Sequence, residues 1–150
     1  MTEVPTARYK ALVDVHVLLL RDDALLLLRR AHTGFADGQW QPPAGHLEAG
    51  ESVLAAAREA REEVGVRIDP AALRFGHVCH HRSAEGRVGF FFVAREWAGE
   101  PYNAEPHKHD AVEWFPLAAL PSDLVDYCAT GVAGALAGVG FGLHGWPDGG

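Results

Sequence analysis

Two apolar runs, ALVDVHVLLL at 11–20 and ALLLL at 24–28, are separated only by Arg21-Asp22-Asp23. Such a segment folds either as one long helix or as a β-hairpin. Val13, Val15 and Val17 favour strand because β-branched side chains suit a pleated surface, and the paired aspartates favour a tight turn. The hairpin is therefore expected, and it commits the chain to a sheet that later segments must cover.

Those segments follow in order. The loop AHTGFADGQWQPPAG is too rich in Gly, Pro and Asp to be regular, and long enough to be functional. Residues 52–64 read as a helix, with Ser52 as N-cap and Gly65 as a left-handed C-terminal residue. Strands are expected at 72–80 and 87–97, with RSAEGR between them as the turn, and again in AVEWFPL. A second helix is expected within PSDLVDYCATGVAGALAGVG, diluted by four glycines. Strands before, between and after two helices give an α/β (α+β) layered fold. The 150 residues should form a single domain with termini, about 1–8 and 141–150, loosely held. The tail GFGLHGWPDGG could lie against a neighbouring subunit of a homodimer.

Composition excludes some functions. A formal charge of −7 and only two lysines, Lys10 and Lys108, argue against gripping a nucleic-acid polymer. An anionic small molecule stays in play if a divalent cation supplies the positive charge. Cys79 and Cys128 lack disulfide or zinc spacing, and no apolar run approaches membrane-spanning length, so a cytoplasmic protein without a membrane partner is expected.

The stretch GHLEAGESVLAAAREAREEVGV gathers Glu48, Glu51, Glu59, Glu62 and Glu63 around two arginines. On a helix, Glu59, Glu62 and Glu63 fall within one arc of roughly 100°, beside an apolar stripe of Val53, Ala57, Ala60 and Val64. Like charges at i and i+4 oppose helix formation, and two of these acids sit in the last turn, where the helix dipole opposes them too. Breaking two local rules points to function. Converging carboxylates suit a hard cation such as Mg²⁺ or Mn²⁺, whereas zinc would want His or Cys.

This stretch resembles the Nudix box, G-x5-E-x7-R-E-U-x-E-E-x-G-U with U apolar, through Gly45, Glu51, Arg58, Glu59, Ala60, Glu62, Glu63, Gly65 and Val66. LLLLRR, GQWQPPAGHLEAGES and VEWFPLAALP extend the likeness over roughly residues 10–125. The resemblance implies an α/β/α sandwich around a mixed sheet. It also implies Mg²⁺-dependent hydrolysis of a nucleoside diphosphate linked to another moiety, such as a nucleoside triphosphate giving monophosphate and pyrophosphate. By position, Glu59, Glu62 and Glu63 would hold metal with the Gly45 carbonyl, Arg58 would support them, and Glu51 would pair with Arg58. Glu62, Glu63 and Arg58 are the candidate catalytic set. Glu105, in YNAEPHKHD, is either one more metal ligand or a solvated loop acid. Arg30 is either a phosphate contact or a solvated strand end, and Trp40 and Phe35 either stack on a base or belong to the core beside the sheet. The histidines carry no assigned role. The alternative reading is a Nudix-like binding or regulatory domain with weak or no turnover.

One departure bears on the site. SVLAAA sets six residues between Glu51 and Arg58 where the pattern has seven. Inside a regular helix, that loss would rotate Glu51 and Gly45 by about 100° relative to the acids unless the loop absorbs it.

Overall fold

The computed structural model describes residues 7–147. The hairpin forms from β1 (Leu12–Arg21) and β2 (Ala24–Arg30), paired antiparallel. Asp22 and Asp23 take φ of 50° and 61°. A two-residue hairpin turn demands this left-handed backbone, and Asp tolerates it because its short polar side chain bonds locally.

The loop after β2 is not wholly irregular, since it carries β3 (Trp40–Gln41) and β4 (Ala44–His46). Strands β5 (Arg74–His81), β6 (Arg87–Ala94) and β7 (His109–Pro116) occupy the expected segments. A further strand, β8 (Phe141–His144), corrects the expectation of a loose tail. It pairs in parallel with β5, and Trp146 Nε1 donates to the His80 carbonyl at 2.9 Å, so the tail closes the edge of its own sheet. Residues 1–6 and 148–150 lie outside the described residues.

The sheet runs β3-β2-β1-β6-β5-β8, with β4 added on β1 and β7 on β2. Parallel pairing of β1 with β6 makes it mixed. Residues 14–20 of β1 are all buried, because side chains on a strand alternate between faces and both faces here are covered. Val15, Val17 and Leu19 join Ala56, Ala60 and Val64 of helix α1 (Ala56–Val64). Leu18 and Leu20 join Tyr127, Cys128 and Val132 of helix α2 (Asp126–Leu136). The result is the expected α/β/α sandwich around a mixed sheet. Ala56 takes a core place on α1 that the apolar stripe assigned to Ala57.

Helix α2 is shorter than the segment 121–140, and its glycines have a packing cause. A Cβ on Gly131 would overlap the Phe91 ring, and one on Gly134 would overlap the His77 ring. Each helical glycine costs up to about 1 kcal/mol in propensity. The close approach leaves Phe91 fully buried, and burying a side chain of that kind contributes about 1.5–3 kcal/mol.

His16 is a buried polar residue on β1, stacked 4.0 Å from Phe91, with Nδ1–H donating to the Phe90 carbonyl at 3.3 Å. Desolvation dominates its titration and lowers its pKa to about 4.

Two outcomes follow from this packing. Gly131→Ala should lower stability by about 1–3 kcal/mol in guanidinium unfolding, although alanine is the better helix former. His16 stays neutral when folded but takes a proton when unfolded below about pH 6.5. Its contribution is therefore intact above that pH and lost as pH falls toward 4, by at most about 3 kcal/mol. Melting temperatures of wild type and His16→Phe across pH 4–7 should show the variant with a shallower acid slope.

Candidate active site

Regular α-helix does not begin at residue 52. Ser52 caps a 3₁₀ turn (Val53–Ala55), its hydroxyl accepting from the Leu54 N–H at 3.2 Å, and α1 starts at Ala56. A 3₁₀ turn takes three residues per turn rather than 3.6. Tightening the first turn lets six residues lead from Glu51 to Arg58 without pulling the two apart.

Arg58 meets Glu51 as a fork, Nε to Oε2 at 3.0 Å and Nη2 to Oε1 at 3.1 Å. Its Nη1 lies 3.0 Å from both Glu62 oxygens, and its Nη2 lies 3.1 Å from Glu59 Oε2. Glu51 Oε1 also accepts from the Glu48 N–H at 3.0 Å, which ties the loop before the helix to the same guanidinium.

Strand β4 brings Gly45 opposite Val15 of β1 and against the helix. A Cβ at Gly45 would overlap the Glu59 carboxylate, so the main chain touches that acid only because the residue is glycine. Beside it, Glu63 Oε1 accepts from the Ala44 N–H at 3.1 Å. The shortened spacing therefore still delivers Gly45 to the acids.

Glu105 arrives on a loop docked over the end of α1. The Tyr102 and Ala104 N–H groups bond the Val64 and Glu63 carbonyls, each at 3.0 Å, satisfying acceptors that a helix end leaves free. Glu105 Oε1 is buried without a hydrogen-bond partner, and Lys108 Nζ stands at 3.8 Å, beyond hydrogen-bond reach. Burial pushes the Glu63 carboxyl well above the usual carboxylate range, and the charges of Glu59 and Glu105 add to that. Burial likewise raises Glu59, while Arg58 opposes the rise.

Glu62 departs from the expected trio. It is more exposed than Glu59 and Glu63 and is turned onto Arg58. Among the described residues, no three His, Cys, Asp or Glu side chains are gathered as a preassembled metal centre. The donors nevertheless fit a hard divalent cation. Glu59, Glu63 and Glu105 repel one another electrostatically, one of their oxygens is orphaned, and a glycine backbone lies alongside.

Glu59, Glu62 and Glu63 line a cleft of about 670 Å³ that Arg30, His46, His107, Lys108 and His109 also line. His109 is buried, and desolvation lowers its pKa to about 4, so it is neutral there. Arg30 sits at a junction, because it lines both this cleft and an adjoining cavity of about 370 Å³. It donates to the Phe35 carbonyl (2.7 Å), Gln41 Oε1 (3.1 Å) and Thr33 Oγ1 (2.9 Å). Three of five guanidinium N–H groups are thus used in shaping the loop, and two remain for an anion.

Trp40 is not a stacking platform. It is buried edge-on against Phe115 at 4.8 Å and lines neither cavity. Phe35 is 65% exposed and lines the smaller cavity, so it is the better-placed aromatic. His80 and His81 lie away from the acids, His80 bonding Tyr9 and His81 stacking on Tyr127. The smaller cavity also holds Asp14, His16, Arg87 and Tyr127, none of them assigned a role from the sequence. Asp14 did leave a signal, as an isolated charge inside an apolar strand.

The family profile of the NUDIX domain matches residues 10–129. Human "8-oxo-dGDP phosphatase NUDT18" is 30% identical over 115 residues, covering 75% of this chain and 34% of that protein. "NAD-capped RNA hydrolase NudC" of Stutzerimonas stutzeri (strain A1501) is 35% identical over 114 residues, covering 71% and 37%. The chain thus spans about a third of the length of these curated relatives. The crystal structure of a MutT NUDIX hydrolase from Burkholderia pseudomallei superposes with a TM-score of 0.76 at 28% identity, over 83% of this chain and 98% of that one. The E. coli ORF135 protein, at 22% identity and a TM-score of 0.67 over 90% of this chain and 92% of its own, shares the fold. This chain belongs to the Nudix hydrolase family, whose members act on phosphoric anhydride bonds.

Glu63→Gln keeps an acceptor for Ala44 and removes a buried charge. The metal-free variant should melt higher than wild type at pH 7.5, by about 2–4 °C per kcal/mol relieved. Added Mg²⁺ should raise the wild-type melting temperature and leave the variant's unchanged. Arg58→Ala should cost about 3 kcal/mol or more in denaturant unfolding, since it leaves Glu59 buried and uncompensated.

Proposed function

We propose that this chain is a divalent-metal-dependent nucleotide pyrophosphohydrolase. It cleaves a nucleoside diphosphate linked to another moiety, with a nucleoside triphosphate, giving monophosphate and pyrophosphate, as the leading candidate. The observation that carries this reading is the Glu59 carboxylate against the Gly45 backbone with Glu63 bonded to the neighbouring Ala44 N–H, in a cleft that Arg30 also lines, while the Glu105 charge acts on both acids. Glu59, Glu63, Glu105 and the Gly45 carbonyl would hold Mg²⁺ or Mn²⁺, with Glu62 joining if it leaves Arg58. A cation held there would neutralise phosphate oxygens and make a water bound to it more acidic.

The protein's own groups do the rest. Arg30 offers its two spare N–H groups to a phosphate, a charge-assisted contact that orients the chain of anhydrides. Glu63, whose burial raises its proton affinity, and the more exposed Glu62 are the acids positioned to take a proton from attacking water. Arg58 keeps Glu59 and Glu62 oriented and offsets their mutual repulsion. The printed names of the human and Stutzerimonas relatives support a nucleotide derivative as substrate, and the net charge of −7 favours a small molecule over a polymer. A cytoplasmic location belongs to the same reading, since Cys79 and Cys128 are buried free thiols.

One observation favours the second reading, a binding or regulatory domain with weak turnover: Glu62 is held by Arg58 rather than turned toward Glu59 and Glu63. A phosphate-release screen of nucleotides separates the two. The hydrolase reading expects turnover only with Mg²⁺ or Mn²⁺, falling about 100-fold or more in Glu63→Gln. Metal binding without turnover of any nucleotide supports the binding domain instead.

A further inference from the structure

Asp14 lies on β1 in the lining of the smaller cavity and is 4% exposed. Its two oxygens are unequally served. Oδ2 accepts from Arg87 Nη1 at 2.6 Å and from the Tyr127 hydroxyl at 3.2 Å. Oδ1 is buried with no hydrogen-bond partner, and His46 Nδ1 stands 3.7 Å away, out of hydrogen-bond reach. Leaving a buried carboxylate oxygen unpaired is costly, so a chain that keeps one at a cavity wall calls for a ligand donor.

The neighbouring groups sharpen what that donor must be. His16, two residues along the same strand, lines the same cavity and spends Nδ1–H on the Phe90 carbonyl. In the neutral ring this leaves Nε2 as an acceptor. Tyr127 and Arg87 already direct donors at Asp14 Oδ2. The free valences contributed by Asp14 and His16 are thus acceptors, and the exposed Phe35 ring adds an aromatic face. About 370 Å³ is within the range of small-molecule pockets. The cavity meets the acidic cleft along Arg30, Gln41, Ala44, Gly45 and His46, which line both. A nucleotide with phosphates over the acids therefore has its base directed into this space.

We infer that Asp14 is a specificity-determining residue whose Oδ1 accepts a hydrogen bond from the exocyclic amino group of a nucleobase. The inference rests on the nucleotide reading given above and adds the substrate's base chemistry to it. An amino group offers two hydrogens to two acceptors, whereas a keto oxygen at the same point sets lone pairs against the carboxylate. Adenine and cytosine nucleotides are thus favoured over their hypoxanthine and uracil counterparts, and guanine nucleotides over those of xanthine.

The test pairs nucleotides that differ at that group. Titration calorimetry of metal-free wild-type protein compares GMP with xanthosine monophosphate, AMP with IMP and CMP with UMP. The amino member should bind at least about tenfold tighter in the pair whose base fits the cavity. Equal affinity within every pair, a keto preference, or no detectable binding of any member overturns the inference. Asp14→Asn, with its fold checked by circular dichroism, should lose or reverse the discrimination, because the amide can donate to a keto oxygen. A folded variant that keeps the wild-type preference also overturns it. If the variant does not fold, the wild-type comparison decides alone. Amine discrimination without nucleotide hydrolysis sinks the hydrolase reading and spares Asp14; hydrolysis without discrimination does the reverse.

Discussion

Arg58 holds Glu51, Glu59 and Glu62 at once, and the rest of the site is arranged around that pairing. An exposed ion pair contributes little, typically up to about 1 kcal/mol. Arg58 is different because Glu59 is only 6% exposed, so the guanidinium offsets a charge that water no longer reaches. The same side chain fastens the loop before the helix through Glu51, which in turn accepts from the Glu48 backbone. Loop, helix and acids are therefore one electrostatic unit.

Around that unit the fold solves a second problem, bringing acids from two distant segments together. Helix α1 ends with free carbonyls, and the 102–105 loop satisfies them with its own N–H groups. Glu105 is carried to Glu63 by that docking. The cost appears as raised proton affinity at Glu59 and Glu63, which is the state a cation would relieve. On the other side of Gly45, strand β1 contributes Asp14 and His16 to the adjoining cavity, so the strand at the middle of the core also shapes the ligand space.

Much of this was legible in the sequence, for identifiable reasons. The hairpin and the sheet strands carried β-branched and aromatic runs, and the box residues carried charge in a helical register too unfavourable to be incidental. The pairing of Glu51 with Arg58 is what the resemblance to the Nudix box implied. What escaped depended on contacts distant in sequence. Trp40 is readable either as a base-stacking aromatic or as core, and only the β3 contact with Phe115 decides for core. Glu62 shares a helical arc with Glu59 and Glu63, but register alone does not reveal that Arg58, one turn earlier, draws it aside. Strand β8 is four residues among glycines and has no strand signature until β5 offers it a parallel edge. The glycines of α2 look like helix breakers until Phe91 and His77 fill the space against them.

The 3₁₀ turn at Val53–Ala55 absorbs the residue missing from SVLAAA. The site depends on Gly45 reaching the Glu59 carboxylate despite the shorter spacing. Calorimetric titration of Mg²⁺ into wild type and a folded Gly45→Ala tests this most directly, since the added Cβ would displace Glu59. Binding to wild type and at least about tenfold weaker binding to the variant is the expected result. Equal Mg²⁺ affinity in the two proteins would contradict the account.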